Sequence, residues 1–172
     1  RALRNGISAN RGEGGVRWYQ NERREYQFSA AVSHFSDHNR RQEYTLTGKE
    51  RLWQAPSLTL DLEPEIAASK NSLRNTLYYN PARDLSATAA LSVDHEMYRH
   101  YDTLWSQQIV AGGGRYWQKN QPAGAITLVG YGQRIQWNNV IDTGVMLNWD
   151  KRPYDGKRES NLSVTFDATL RF

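Results

Sequence analysis

The stretch NLSVTFDATLRF, residues 161–172, decides the fold because its apolar and polar residues alternate strictly. Successive side chains of a β-strand point to opposite faces, so this stretch has one apolar and one polar face. The apolar set is Leu162, Val164, Phe166, Ala168, Leu170 and Phe172. A barrel strand needs about 9–11 residues to cross a membrane, whereas strands of soluble sandwiches are usually shorter. The stretch therefore predicts a transmembrane β-strand.

The composition favours a single domain over a helical membrane protein or a disordered chain. Of 172 residues, 38% are hydrophobic and 23% are charged, and the mean hydropathy is −0.80. Only every second residue of a barrel strand faces lipid, so a low mean hydropathy is compatible with a barrel. Aromatic residues make up 12% of the chain. The alternation favours placing them in the two interfacial girdles of a barrel over a sandwich core or a carbohydrate-binding face.

Cysteine content and charge exclude several classes of function. The chain has no cysteine, which excludes disulfide frameworks and thiolate metal sites. Its 22 basic and 18 acidic residues give a net charge of +4, and the basic residues are dispersed along the chain. No nucleic acid is therefore expected as a partner. The chain begins at Arg1 without a signal-like segment, which we interpret as part of a longer precursor.

The remaining sequence divides into long extended segments without helical periodicity. The predicted strands cover residues 25–35, 42–53, 58–69, 85–98, 104–118, 125–135, 139–150 and 160–172, with a ninth that ends near Tyr19. Short connections (QAPS, RHYDT, QWNN) alternate with mostly longer ones (SDHNRR, KNSLRNTLYYNPARD, KNQPAGA, DKRPYDGKRES). Outer-membrane barrels have short periplasmic turns and long external loops. The predicted fold is thus all-β, a transmembrane antiparallel β-barrel whose last strand ends at the periplasmic side.

The number of strands bears on the size of the pore. Eight strands enclose an interior that side chains nearly fill, whereas about sixteen enclose an aqueous channel. The sequence predicts eight or nine strands, and we favour the interpretation that they form part of a barrel of about sixteen strands.

Four segments, NERREY, FSDHNRR, LYYNPARDLSATAALSVDHEMYRHYD and GGGRYWQ, precede the terminal phenylalanine strand in this order. Together they resemble the barrel domain of the outer-membrane export porin family for biofilm poly-β-1,6-N-acetylglucosamine, and YYNPARD is the most specific element. The resemblance covers residues 21–172. Members of that family carry a periplasmic tetratricopeptide-repeat region before a sixteen-stranded barrel. The resemblance therefore implies that residues 1–172 are a C-terminal portion of such a barrel, without the repeat region.

This resemblance also implies a function and a set of partners. A porin of the bacterial cell outer membrane would export partly deacetylated poly-N-acetylglucosamine, received from a periplasmic polysaccharide deacetylase. It would be a monomer in contact with outer-membrane lipids, without cofactor, metal or catalytic residue. The barrel-assembly machinery would recognise the terminal strand through Phe166, Leu170 and Phe172.

Acidic residues on the predicted polar faces form a candidate lumen track for the free amines of this polymer. They are Asp61, Glu63, Glu65, Asp94, Glu96, Asp142 and Asp167. Because Lys49, Arg51 and Arg171 share the predicted lumen, an ordinary mixed-charge porin interior is the alternative. Sugar rings also stack on aromatic side chains, for which Trp53, Trp117 and Tyr131 are candidates if they point inward.

The YYNPARD motif and a glycine run also have functional interpretations. Pro81 fixes its own backbone and favours extended geometry in the residue before it. We predict a pore-mouth loop formed by Tyr78, Tyr79, Asn80, Pro81, Arg83 and Asp84, with a structural anchor as the alternative. The run of residues 112–114 predicts either close approach of a ligand or loop, or a bulge or tight bend in the wall, and we favour the second.

Enzymatic sites have little support. His95 and His100 differ by five positions, which does not bring them together on one face of a strand. The motif SHFSDH contains the residue types of a catalytic triad, but adjacent positions on a strand cannot converge. A soluble carbohydrate-binding β-sandwich and a small outer-membrane barrel enzyme are the alternatives to polysaccharide export.

Overall fold

The computed structural model describes residues 7–73, 80–154 and 157–171, and nine β-strands cover most of them. The strands are β1 (Ala9–Asn21), β2 (Arg24–Phe35), β3 (Arg40–Ala55), β4 (Leu58–Asn71), β5 (Arg83–His100), β6 (Thr103–Gln118), β7 (Gly124–Trp137), β8 (Ile141–Tyr154) and β9 (Lys157–Leu170). Each strand pairs with the next in antiparallel orientation, so β1 and β9 form the two edges of one sheet. None of the described residues lies in a helix long and apolar enough to cross a membrane. The predicted all-β antiparallel fold, including the ninth strand, is confirmed.

The connections lie alternately at two ends of the sheet. Residues 22–23, 56–57, 101–102 and 138–140 connect strands at one end, which we call the short-turn end. Tyr101, Asn138 and Asn139 have positive φ there, as tight hairpin turns require. Residues 36–39, 72–82 and 119–123 connect strands at the opposite, long-loop end. Leu170 pairs with Ile141 at the short-turn end, in agreement with the predicted course of the last strand.

One predicted loop is wrong. Of the charged stretch 150–160, residues 150–154 and 157–160 belong to strands, since β8 extends to Tyr154 and pairs with β9 from Lys157 onward. Its charges are accommodated across the hairpin, where Asp150 accepts hydrogen bonds from Arg152 and Asn161. The pairing of β8 with β7 ends at Lys151, and beyond it Pro153 packs against Gly124 at the start of β7.

The pairing register divides the strand residues between a polar face and an apolar face. The apolar face carries all six tryptophans, namely Trp18, Trp53, Trp105, Trp117, Trp137 and Trp149. Trp18, Trp53, Trp105 and Trp137 lie near the short-turn end, and the other two lie in the long-loop half. This distribution agrees with interfacial girdles.

None of the three aromatic candidates for sugar stacking points inward. Trp53 pairs with Leu60 because a register shift between Arg51 and Trp53 reverses the strand phase. Trp117 pairs with Leu85 and Tyr131 pairs with Leu147, both on the apolar face. A bulge adds one residue to a strand and moves the following side chains to the other face.

The glycines of β6 do not form the predicted bulge. The register with both neighbouring strands runs through residues 112–114 without a shift. A Cβ atom on Gly112 would lie 2.6 Å from the Ala89 carbonyl oxygen, and one on Gly114 would lie 2.0 Å from the Ala87 carbonyl oxygen. The glycines are therefore explained by close packing of β6 against the backbone of β5.

Candidate functional site

All seven predicted acidic residues lie on the polar face of the sheet, but their surroundings differ. Asp61 is the most buried, with a side chain that is 1% exposed. It accepts hydrogen bonds from Arg51 across the β3–β4 pair, at 3.0 Å to Oδ1 and 3.3 Å to Oδ2. Lys49 lies 3.0 Å from the same carboxylate. Two cations therefore engage Asp61, one of them through a bidentate guanidinium fork.

Asp142 and Glu96 are also engaged by arginines. Arg134 donates two hydrogen bonds to Asp142, at 2.7 and 2.6 Å, and Arg171 lies 3.8 Å from it. Glu96 accepts two hydrogen bonds from Arg99, which follows in the same strand after a register shift. With Asp61, these are three acidic residues whose charge is balanced within the protein.

The other four carboxylates form either a longer ion pair or none with the cations of the described residues. Glu63 lies 3.8 Å from Lys49, which is closer to Asp61. Glu65, Asp94 and Asp167 form no ion pair with the residues that the structure describes. Glu65 and Asp167 are exposed, and Asp94 is half-buried. Of the seven acidic residues, these four accept no hydrogen bond from an arginine among those that the structure describes.

Two grooves on the polar face contain these four residues. The lower groove, nearer the short-turn end, has a volume of about 230 Å³ and places Asp94 and Asp167 along its lining with Gln108 and Arg134. The upper groove has a volume of about 330 Å³ and contains Glu63 and Glu65. Its remaining lining includes apolar as well as hydroxyl side chains: Thr47, Thr88, Val110 and Leu128.

Glycines on β7 and β8 keep the lower groove open. A Cβ atom on Gly132 would lie 2.7 Å from the Met146 sulfur, and one on Gly144 would lie 2.6 Å from Asp167 Oδ1. The carboxylate of Asp167 therefore lies over the backbone of β8, where only glycine leaves room. Sequence reasoning missed these glycines, although the spacing of Gly130 and Gly132 by two residues was a signal for one face of a strand.

A buried asparagine cluster connects two loops at the long-loop end. Asn39 is 1% exposed, and its Nδ2 donates to Oδ1 of Asn80 at 3.1 Å and of Asn71 at 3.4 Å. Asn71 Nδ2 donates to the Pro81 carbonyl at 2.7 Å, and Asn80 Nδ2 donates to the Leu73 carbonyl at 2.7 Å. Asn80 and Pro81 are thus anchored to the β2–β3 connection. Sequence reasoning missed Asn39 and Asn71. In the sequence each is a single asparagine near a strand end, which looks like an ordinary turn residue.

The other residues of the predicted pore-mouth loop do not form one site. Arg83 lies on the apolar face opposite Lys70, whereas Asp84 lies on the polar face opposite Ser69. Tyr78 and Tyr79 lie outside the described residues. The motif therefore combines an anchor with strand residues on both faces of the sheet.

The predicted assembly signal lies partly within the described residues. Phe166 and Leu170 lie on the apolar face of the edge strand β9, with exposures of 72% and 58%. Phe172 lies outside the described residues.

Histidine and carboxylate side chains form no metal-binding group within the described segments, by the criterion of three or more such residues together. His95 contacts the Gln107 side chain at 3.1 Å, and His100 packs edge-on against Tyr101.

Comparison with known proteins gives consistent matches over the whole chain. The family described as the PgaA membrane beta barrel domain matches residues 1–172. The poly-beta-1,6-N-acetyl-D-glucosamine export proteins of Escherichia coli K12 and Escherichia coli O157:H7 are each 47% identical to this chain over 172 residues. The match covers 100% of this chain but 21% of each relative, so the chain spans about a fifth of their length.

A solved structure described as a bacterial polysaccharide outer membrane secretin has a TM-score of 0.97 and 47% sequence identity. The match covers 100% of this chain and 59% of that one. In a membrane barrel the face with the tryptophan girdles contacts lipid and the polar face lines the lumen. From its nine-stranded antiparallel sheet and these full-length matches, the chain belongs to the PgaA membrane beta barrel domain family of the bacterial outer membrane.

Proposed function

We propose that this chain forms part of the lumen wall of a porin that exports partly deacetylated poly-β-1,6-N-acetylglucosamine into the biofilm matrix. The names of the two export relatives support this substrate. The observation that carries the proposal is the presence of Glu63, Glu65, Asp94 and Asp167 in two grooves on the lumen side of the sheet. These carboxylates supply negative charge that the protein balances only weakly.

The chemistry of the polymer fits such a surface. Deacetylated sugar units carry amines that are cationic at neutral pH, and solvated carboxylates attract them with about 0.2–1 kcal/mol per contact. Contacts of this strength retain the polymer in the pore but allow it to move, as conduction requires. The apolar side chains of Val110 and Leu128 in the upper groove suit the units that keep their acetyl groups. Tryptophan stacking forms no part of the proposal, because these rings lie on the apolar face.

The porin requires an enzyme that supplies the polymer and further strands that complete the barrel. A periplasmic polysaccharide deacetylase supplies the polymer, and the chain itself performs no catalytic step. Residues 1–172 are the C-terminal portion of a monomeric barrel, and further strands of the same protein pair with β1 and β9. This closure is required in lipid, where unpaired backbone groups are costly.

Planar-bilayer conductance of the full-length protein tests the acidic track. We expect the triple variant Glu65→Gln, Asp94→Asn, Asp167→Asn to need about tenfold more partly deacetylated glucosamine oligomer for half-maximal block, since three weak contacts are lost. Polymer secretion by cells that carry this variant should fall as well. Fully acetylated oligomers of the same length should block wild type and variant equally.

The variant Glu50→Gln is the matched control, because Glu50 lies on the apolar face opposite Leu62. It should leave block by the cationic oligomers unchanged. A correctly folded triple variant with wild-type block would contradict the acidic track and favour a mixed-charge lumen without specific sites.

We also propose that the terminal strand is the signal read by the barrel-assembly machinery. Deletion of Phe172, or replacement of the exposed Phe166 by serine, should lower the membrane-inserted fraction several-fold, because each change removes an aromatic ring from the alternating terminal stretch. The heat-modifiable folded band on unboiled gels of outer membranes measures this fraction. The polar-face substitution Ser163→Ala in the same strand should have no effect, and equal insertion of all three variants would rule out this role.

A further inference from the structure

Three cations lie side by side on the apolar face at the long-loop end. Lys70 of β4 pairs with Arg83 of β5, and the backbone N–H of Lys119, just after β6, donates to the Arg83 carbonyl at 3.0 Å. All three side chains belong to exposed residues. Neighbouring strands lie about 4.7–4.9 Å apart, and like charges directly opposite each other destabilise a sheet. We call Lys70, Arg83 and Lys119 the cation row.

The cation row has no counter-ion among the residues that the structure describes. None of its members forms an ion pair with a carboxylate in the described parts of the chain. The adjacent acid in sequence, Asp84, pairs with Ser69 on the opposite face, and it borders the groove next to the row without forming an ion pair with any of the three cations. Residues 74–79, which connect toward Arg83, contain no acidic residue in the sequence. No carboxylate of the described residues therefore offsets the repulsion within the row.

An apolar groove lies directly next to the cation row. Tyr44, Ala68, Leu85 and Trp117 form one register row across β3, β4, β5 and β6. They line a groove of about 530 Å³ that also contacts the three cations. Tyr44 is 44% exposed and Trp117 is 40% exposed, one on each side of the groove. A cationic end and an apolar floor together suit an amphiphile with an anionic headgroup.

The position in the membrane agrees with such a ligand. In outer-membrane barrels the end with the longer loops is external, and tyrosine and tryptophan side chains lie at the interface. The cation row is two residues further along the strands than Tyr44 and Trp117, at the next position on the same face. It therefore lies at the headgroup level of the outer leaflet. Arg83 adds a guanidinium fork, which matches the oxygen atoms of a phosphate.

We propose that the cation row and its groove bind a phosphate-bearing lipid of the outer leaflet, with the phosphate at Lys70, Arg83 and Lys119 and an acyl chain along Leu85. The bound lipid removes the repulsion within the row and attaches this part of the wall to the leaflet. This site lies on the lipid side of the barrel and is independent of the polymer path.

Native mass spectrometry of the full-length protein in neutral detergent, titrated with bisphosphorylated lipid A, tests the site. Each of the substitutions Lys70→Gln, Arg83→Gln and Lys119→Gln should weaken lipid binding about fivefold, as expected for one basic residue at a membrane surface. Arg152→Gln is the matched control, because Arg152 lies at the same end but on the polar face with Asp150. It should bind lipid A like the wild type.

Thermal unfolding gives a second measurement, in which the expected result differs from that of a variant that merely fails to fold. Without lipid, each substitution should raise the Tm because it removes a like charge from the row. With lipid A in neutral phosphatidylcholine vesicles, the wild type should gain more Tm than the variants. Equal binding of lipid A and its dephosphorylated form would overturn the proposal. Equal binding by the wild type and a variant that combines Lys70→Gln, Arg83→Gln and Lys119→Gln, or equal stabilisation by inorganic phosphate alone, would do the same.

Discussion

Replacement of Gly114 by alanine should prevent most of the barrel from reaching its folded, heat-modifiable form. A Cβ atom at this position would lie 2.0 Å from the Ala87 carbonyl oxygen and 2.7 Å from the Thr88 Cα atom. Both atoms belong to the backbone of β5, so no side-chain rotation relieves the contact. Overpacking of a well-packed site typically costs about 1–3 kcal/mol and occasionally more, and we expect the upper end here because two paired strands must separate.

The matched control is Gly113→Ala in the same strand, since, among the described residues, a Cβ atom on Gly113 would meet only the Ile126 carbonyl oxygen, at 3.0 Å. This substitution should lower the folded fraction of the full-length protein much less than Gly114→Ala. Denaturation midpoints in guanidinium chloride, measured on refolded protein in detergent, give the size of the difference. A Gly114→Ala variant that folds with the wild-type midpoint would contradict the close packing of β5 and β6.

The glycines of β6 also illustrate a limit of prediction from sequence. Alternation correctly assigned the faces of whole strands, as in β9, where the predicted apolar set pairs with apolar-face residues of β8 such as Val145 and Leu147. Alternation does not reveal which atoms of the neighbouring strand lie opposite a glycine. Whether Gly112 marks a bulge or a close contact depends on the neighbouring backbone, and that requires the register.

The same limit explains the errors on individual residues. Counting by twos from Arg51 places Trp53 on the polar face, but the bulge between them adds one residue and reverses the phase. Interfacial bulges have weak sequence signals. The asparagine cluster was missed for a related reason, because Asn39, Asn71 and Asn80 come together from two connections that the sequence separates by 32 and 41 positions.

The face of the acidic residues could be predicted, but their partners could not. Arg51 engages Asp61 and Arg134 engages Asp142 across neighbouring strands, so each pair depends on an exact hairpin register. The sequence alone therefore grouped engaged and available carboxylates into one track. The structure separates a supporting set, which includes Asp61 and Asp142, from the carboxylates that we propose for polymer contact.

Asp61→Ala should be among the most destabilising substitutions of a charged residue in this part of the barrel. It leaves Lys49 and Arg51 side by side without the carboxylate that lies 3.0 Å from each. The side chains of Lys49 and Arg51 are 44% and 29% exposed, so solvent screens part of their repulsion. We expect a cost of about 1–3 kcal/mol, as for a lost hydrogen bond to a charged group. Glu63→Gln is the control, since Glu63 is 38% exposed and 3.8 Å from Lys49, and we expect it to cost less than about 1 kcal/mol.

A double-mutant cycle with Arg51→Met separates the ion pair from other effects of the substitution. If the loss comes from uncompensated positive charge, the double variant Asp61→Ala, Arg51→Met should be more stable than Asp61→Ala alone, with a coupling energy of about 0.5–3 kcal/mol. If the losses in stability from the two single substitutions are additive, the effect of Asp61→Ala arises from altered packing around Asp61. A stable Asp61→Ala protein with weakened block by cationic oligomers would instead move Asp61 from the supporting set to the polymer path, because a carboxylate that only holds strands together has no direct effect on a ligand in the lumen.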